Sequence, residues 1–538
     1  NSFTIPYLGN TGPPAQTNVF SDRKLKYPFI FAEPYRVYLH DPYNIYHFNT
    51  RKPFTEVSYL SSGNRDNSEQ VISATHTQNV NQYVNIGLVY DLIASRGKYL
   101  NQNISSNRFS LHGSYDKDNY SIYGSANFNS VKSQENGGLV NVDDFLDGTL
   151  EELNYLMYLD KADSRFKNYS YFITQKLNLI RTKTLDSTKA EVKTPFTIQH
   201  TLHYNRFVKS YTDEISNSDS LKYYANNYYW INKADDSAFY HNLSNRFDLS
   251  FTFGKETQEL RAYIMHELLN YSFQYPVQTI DTAGNDTLVS GIQKETYNDI
   301  SIGGIYQGNV GNWAYDAFGS LYLTGYQAGD VRAGVSFRRY FSNRERMLEL
   351  SGSFSSLKPD YFLNNYSSSH FKWKNAFLNT DYIGANLFYS GKNDFTLKSA
   401  VDYYTGYIYF NNNALPAQNQ DVMIVGSLLL TKGFEWGPLH HKHRILLQKS
   451  TSDVVHIPWL AYGNSTYLES AFFKDVLKFQ IGFDFYFFNR YYADTFVPAT
   501  GMFVQQNIRK TGEYPYLDAF LNWKIKRTRF SLKYTNAL

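Results

Sequence analysis

The chain has 538 residues, no cysteine, a formal net charge of +3 and an aromatic fraction of 18%, with 49 Tyr and 40 Phe. Disulfides and thiolate metal sites are excluded, and the interspersed charges offer no concentrated basic face for nucleic acid. No run of about 18 consecutive apolar residues occurs, so no transmembrane helix is available. The aromatic excess points to strands and to places where apolar and wet environments meet.

In chain order, residues 1–52 carry Pro6, Pro13, Pro14, Pro28, Pro34 and Pro42 and are expected to form an irregular arm. From Pro53 onward the pattern alternates with period two. Val84, Ile86, Leu88, Tyr90 and Leu92 oppose Asn85, Gly87 and Asp91, and Tyr120 to Phe128 oppose Ser121, Ser125 and Asn127. Phe196, Ile198 and Leu202 oppose Gln199, and Phe247 to Phe253 oppose Asp248. The clearest run is Leu477 to Phe488, LKFQIGFDFYFF. Leu477, Phe479, Ile481, Phe483, Phe485 and Phe487 share one face, and Lys478, Gln480, Gly482 and Asp484 the other. Leu517 to Ile525 oppose Asp518 and Lys524. Each run is about 10 to 14 residues, longer than soluble strands and right for a tilted strand crossing a bilayer.

The links between runs come in two sizes. Short turns at Lys117-Asp118-Asn119, Gly308-Asn309, Ser342-Asn343-Arg344, Gly391-Lys392 and Arg527-Thr528 alternate with long links at 132–164, 209–241, 273–292, 358–374 and 489–513. Transmembrane barrels alternate in this way, with short periplasmic turns and long extracellular loops. A sheet exposing this much Phe and Leu to water would aggregate, whereas hydrocarbon accepts that face and closure satisfies the backbone. The expected fold is therefore all-β: an antiparallel transmembrane barrel of about 18–22 strands over 53–538. The arm would lie in the lumen or the periplasm, too short for a large receptor plug. By strand parity, one further strand is expected after Leu538.

Several segments resemble the putative porin family of Bacteroidota outer membranes: YLGNTGPPAQ (7–16), NTRKPFTEVSY (49–59), THTQNVNQYVNIGLVYD (75–91), IASRGKY (93–99), ENGGLV (135–140), KADSRFKN (161–168), YYADTFVPATGMFVQQN (491–507) and GEYPYLDAFLNWKIKRTRFSLKY (512–534). The resemblance implies an outer-membrane barrel acting as a passive channel, without catalytic residues or cofactor. It also implies export behind a cleaved signal peptide, with outer-membrane lipid and lipopolysaccharide around the barrel.

From alternation, the lumen-facing candidates are Asp91, Asn127, Gln199, Asp248, Asp316, Lys478, Asp484, Asp518 and Lys524. Glu135, Asp143, Asp144 and Asp147 mark a candidate constriction loop favouring cations; the plain alternative is a solvated loop. A helical apolar stripe at Leu150, Leu153, Leu156 and Met157 suggests a short helix over 148–160. Asp-Ser/Thr triplets make Ser220, Ser237, Thr282 and Thr287 candidate O-glycosylation sites, and His441 and His443 would share a strand face. The expected function is diffusion of small polar solutes. The rival is a non-conducting barrel serving a larger outer-membrane secretion, assembly or uptake complex with other proteins.

Overall fold

A computed structural model describes residues 8–23, 28–63, 67–148, 150–179, 182–186, 189–193, 196–214, 219–229, 233–254, 258–280 and 286–538. Among the described residues, one antiparallel sheet of 21 strands contains every long strand, each paired with its neighbours in sequence order. Its members are β1 (Phe54–Ser62), β2 (Glu69–Asn79), β3 (Val84–Ser95), β4 (Ile104–Lys117), β5 (Tyr120–Glu135), β6 (Ala162–Asn178), β7 (Phe196–Glu214), β8 (Lys233–Phe253), β9 (Gln258–Ile280), β10 (Asp286–Val310) and β11 (Trp313–Thr324). They continue as β12 (Val331–Phe341), β13 (Arg346–Leu357), β14 (Thr380–Ser390), β15 (Thr396–Thr405), β16 (Met423–Trp436), β17 (Leu439–Ser450), β18 (Leu460–Phe472), β19 (Leu477–Phe488), β20 (Tyr516–Ile525) and β21 (Thr528–Tyr534). β1 and β21 are the two edges and do not pair with each other.

The two ends of the sheet differ as the sequence pattern predicts. One end carries tight connections such as 80–83, 118–119, 311–312, 437–438 and 526–527; the other carries 136–161, 358–379, 406–422 and 489–515. The brief link 325–330 belongs to the long-link end and 179–195 to the short one, so neither breaks the parity. The turn expected at Gly308-Asn309 lies at Gly311 and Asn312, because β10 continues to Val310. Of two expected long links, 273–292 is largely strand and 209–241 is strand at both its ends, since β7 to β10 extend far beyond the length a bilayer needs.

Burial is inverted relative to a soluble protein. Phe247, Leu249 and Phe251 on β8 are exposed, while Asp248 and Ser250 between them are buried. On β19, Ile481 is 50% and Phe483 40% exposed, yet Asp484 is held inward by Lys533 at 3.0 Å. An apolar outer face of this kind is stable only against lipid.

The longest strands then switch. On β9, Leu260 and Ile264 face outward near the short-link end, but farther up the inner face takes Leu269, Tyr271 and Phe273, all buried. The outer face there carries Asn270, whose side chain accepts from Thr296 at 2.7 Å. The lower part of each long strand is therefore built for hydrocarbon outside and polar groups inside. The upper part is built for water outside and an apolar core inside.

Candidate functional site

The arm runs inside the curve of the sheet. Near its start Thr11 donates through its backbone N–H and its hydroxyl to Glu69, at 2.8 and 3.0 Å. At its end Thr50 N–H donates to Asn79 Oδ1 at 3.1 Å. Glu69 and Asn79 are the two ends of β2, so the arm spans that strand's full height, about 33 Å at the usual rise per residue. Between these points His40 Nε2 lies 2.6 Å from Asp91 and its Nδ1 2.8 Å from Ser110, while Asn129 Oδ1 accepts from His40 N–H at 2.8 Å. The same arm reaches the opposite wall, where Phe20 packs edge-on against Tyr404 and Val19 against Leu446 and Ala461. Strands from both halves of the sheet touch one strap only if the sheet wraps around it.

Above the polar wall the arm joins an aromatic core. Phe29 and Phe31 are fully buried against Phe207 of β7 and against Phe362 and Tyr366 of the link 358–379. Tyr271, Phe273 and Trp373 belong to the same cluster, with Phe410 from the link 406–422 and Met502 and Val504 from 489–515. These links carry small hairpins of their own, Asn365–Ser367 with Lys372–Lys374 and Thr495–Val497 with Met502–Val504, which hold them folded inward. These rings pack with centroids 5.2–5.7 Å apart, an apolar cluster inside the curve of the sheet.

Polar groups are built into this plug. Lys209 Nζ donates to Tyr366 OH at 3.2 Å and to the carbonyl of Ala499, joining β7 to two links. Asp236 on β8 accepts from Ser369 N–H at 2.8 Å and from its hydroxyl at 2.9 Å. His370 stacks on Tyr224, centroids 4.0 Å apart, with Nδ1 3.1 Å from the carbonyl of Asn226. Burial, aided by Lys209, lowers the His370 pKa to about 4, although the Asn226 carbonyl opposes the shift. Burial likewise raises the Tyr224 phenol.

The nine residues expected to face inward lie on one continuous face, because cross-strand partners share a side of the sheet. Gln199 stands directly opposite Asp248, Asp484 opposite Asp518, and Lys478 opposite Lys524. Lys533, at 3.0 Å from both carboxylates, offsets the repulsion between Asp484 and Asp518. Asp316 pairs with Arg338, which also faces Glu349 at 3.8 Å, and Asp248 pairs with Arg246 at 2.6 Å. Asn127 is fully buried and Asp91 is held by His40 and Ser73. The strap thus covers much of the wall from β2 to β6. Charged side chains from β11 to β13 and from β19 to β21 stay partly open to solvent.

The acidic loop is placed differently. Glu135 ends β5 and is buried, but Asp143, Asp144 and Asp147 lie on a short helix, Val142–Asp147, with no buried residue. They are not gathered with Glu135. The helix expected over 148–160 is absent among the described residues. Only the 3-10 turn Glu152–Asn154 forms there, with Leu156 68% exposed, and the inward part of this link is Leu159, packed with Tyr211 and Tyr224. Ser220 opens a helical turn, Ser220–Tyr223, and Ser237 sits on β8 rather than in a loop. Thr287 is on β10, and Thr282 lies outside the described residues. His441 and His443 do share the outer face, hydrogen-bonded to Thr466 and Tyr462 at 2.8 Å each.

Sequence reasoning did not find His40, Lys209, Asp236, His370 or Lys533. Their roles come from contacts between segments distant in sequence, 51 residues apart for His40 and Asp91 and 290 for Lys209 and Ala499, and for Lys209, Asp236 and Lys533 the local sign was a charged residue at an inward position of a strand.

The model of the family described as "Putative porin" matches residues 1–538. The chain belongs to that porin family. No curated protein matches it. Among solved structures this porin is similar to the siderophore receptor PirA from Acinetobacter baumannii, with TM-score 0.62 and 10% identity over 91% of this chain and 77% of the receptor. It is also similar to the ferric enterobactin receptor PfeA from Pseudomonas aeruginosa, with TM-score 0.58 and 10% identity over 90% and 75%. The ferric-catecholate import receptor Fiu from E. coli K12 gives TM-score 0.58 and 10% identity over 90% and 77%. At such identities the likeness is one of fold. The porin is an outer-membrane β-barrel of the transport class.

Proposed function

We propose that this porin passes small polar solutes by diffusion, through a lumen that its own arm and inward links hold shut in the conformation seen. The observation that carries the reading is the aromatic core of Phe29, Phe31, Phe362 and Tyr366, which joins arm, wall and links across the interior. The charged wall of Asp316, Arg338, Glu349, Asp484 and Asp518 supports a water-filled path once that core is displaced. In this reading the inward residues predicted from alternation line the path, and Ser220, Ser237, Thr282 and Thr287 are the candidate O-glycosylation sites. The reading assigns no catalysis and no cofactor. It places the chain in a Bacteroidota envelope, exported behind a cleaved signal.

The filled interior equally favours a second reading, a non-conducting barrel serving a larger outer-membrane complex. Planar-bilayer recording separates the two. The wild type is expected to be nearly silent, and a variant with 358–379 replaced by a short Gly-Ser turn is expected to pass steady ohmic current. Silence of both would favour the complex subunit. Full current through the wild type would overturn the closed lumen.

A further inference from the structure

Charges on the inner wall are mostly paired. Arg246 lies against Asp248, Arg261 against Glu259, Arg338 between Asp316 and Glu349, and Lys533 between Asp484 and Asp518. One row departs from this. At the short-link end of β19 to β21, Lys478 stands directly opposite Lys524, and Lys524 directly opposite Arg529. Each lies one residue in from the end of its strand, and all three are exposed. By alternation they share the face of Asp484 and Asp518.

Among the described residues no carboxylate forms an ion pair with any of the three. The neighbouring place on β18 is Ala471. The next inward residue of that strand, Glu469, accepts from the Gln480 side chain at 2.7 Å. Asn522 donates in turn to Gln480 at 3.2 Å, and Ser531 to Asn522 at 2.6 Å. This hydrogen-bonded row separates the three cations from Asp484 and Asp518, whose charge Lys533 already answers. The short turns beside the row add Lys474, Lys526 and Arg527 against Asp475 alone.

Like charges set directly opposite each other on a sheet are destabilising. An oxyanion bridging the row removes that repulsion, with the two ammonium groups as point charges and the guanidinium as a planar fork for two oxygens. Two strand spacings, about 10 Å, separate the outer members, a span that suits a phosphate or diphosphate better than one carboxylate. We propose that Lys478, Lys524 and Arg529 bind the phosphate group of a small soluble solute at the short-link mouth of the barrel. Lipid headgroups carry the same chemistry, but the row lies on the face turned from lipid. The site needs the wall and not an open lumen, so its fate is separate from that of the channel reading.

The test is calorimetric titration of the full chain in detergent with phosphate, pyrophosphate and glucose 6-phosphate. Ionic strength is held constant with sodium chloride so that screening is matched. Pyrophosphate is expected to bind saturably, and Lys524→Gln and Arg529→Gln should each weaken it about tenfold. Lys392→Gln removes a short-turn cation already paired with Glu345 at 2.9 Å and should hold binding within about twofold. Heat-modifiable gel mobility reports that each variant is folded. Repeating the titration in nanodiscs of phosphatidylcholine and of phosphatidylglycerol separates solute from lipid, with binding expected in both. Three results would overturn the proposal. They are no pyrophosphate bound by the folded wild type, equal binding by wild type and the Lys524→Gln, Arg529→Gln double variant, or binding abolished only in phosphatidylglycerol, which would assign the row to lipid headgroups.

Discussion

Phe483 and Asp484 are neighbours on β19 that face opposite surroundings. Phe483 stands among exposed apolar side chains, and Asp484 meets Lys533 on the inner face. Phe483→Arg should cost about 2–4 kcal/mol, the penalty for a cation on the lipid side of a barrel near mid-bilayer. Asp484→Asn should cost about 1 kcal/mol or less, since its partner is partly solvated and remains paired with Asp518. Urea titration in liposomes measures both, and similar losses at the two positions would contradict the face assignment. His370 tests the plug. Its folded pKa of about 4 lies below the ordinary 6.5, so the docked link binds fewer protons than the undocked one between those values. Docking is therefore fully stable above pH 6.5 and weakens as pH falls toward 4, by about 2 kcal/mol at pH 5. Protection factors across 358–379, corrected for the pH dependence of intrinsic exchange, should fall on acidification, and His370→Gln should flatten the response. Protection that stays constant from pH 7 to 5 in the wild type would count against a buried neutral imidazole.

The long hairpins set where the bilayer ends. Ile264 and Asn270 lie on the same outer face of β9, one below and one above the switch from lipid to water. Ile264→Arg should cost about 2–4 kcal/mol, and Asn270→Arg should stay within about 0.5 kcal/mol of wild type. Equal destabilisation would move the boundary. This switch also explains what could be read from sequence. Leu477 to Phe488 was legible because a single phase of period two lasts the whole strand. In β9 the apolar phase slips from the even positions of Leu260 and Ile264 to the odd positions of Leu269, Tyr271 and Phe273. The upper half therefore looked like the start of a link. Which residues share a face was legible for the same reason as the strands, since alternation fixes a side. The plug was not, because Phe29 and Phe31 follow no period, and Phe362, Tyr366 and Met502 lie in segments whose ordinary place is outside the barrel.

For the whole molecule, the strap and the wall share their polar groups. Asn129, Ser110 and Asp91 bind His40 but lie on a face that water serves as well. Removing residues 8–36 should thus leave the barrel folded, with its heat-modifiable mobility intact, and raise conductance by freeing the Phe29 and Phe31 positions. Loss of the folded band would make the strap part of the barrel's framework instead. The route of the strap also bears on how the barrel is made. Residue 11 lies beside Glu69 at the long-link end and residue 50 beside Asn79 at the other, so the chain crosses the interior before its first strand begins. It touches the earliest strands and also β15, β17 and β18. A wall laid down in sequence order would therefore assemble around a core already present. The last strands would close against a surface that the first residues had prepared, so loss of the arm should slow closure of the barrel without changing the fold it reaches.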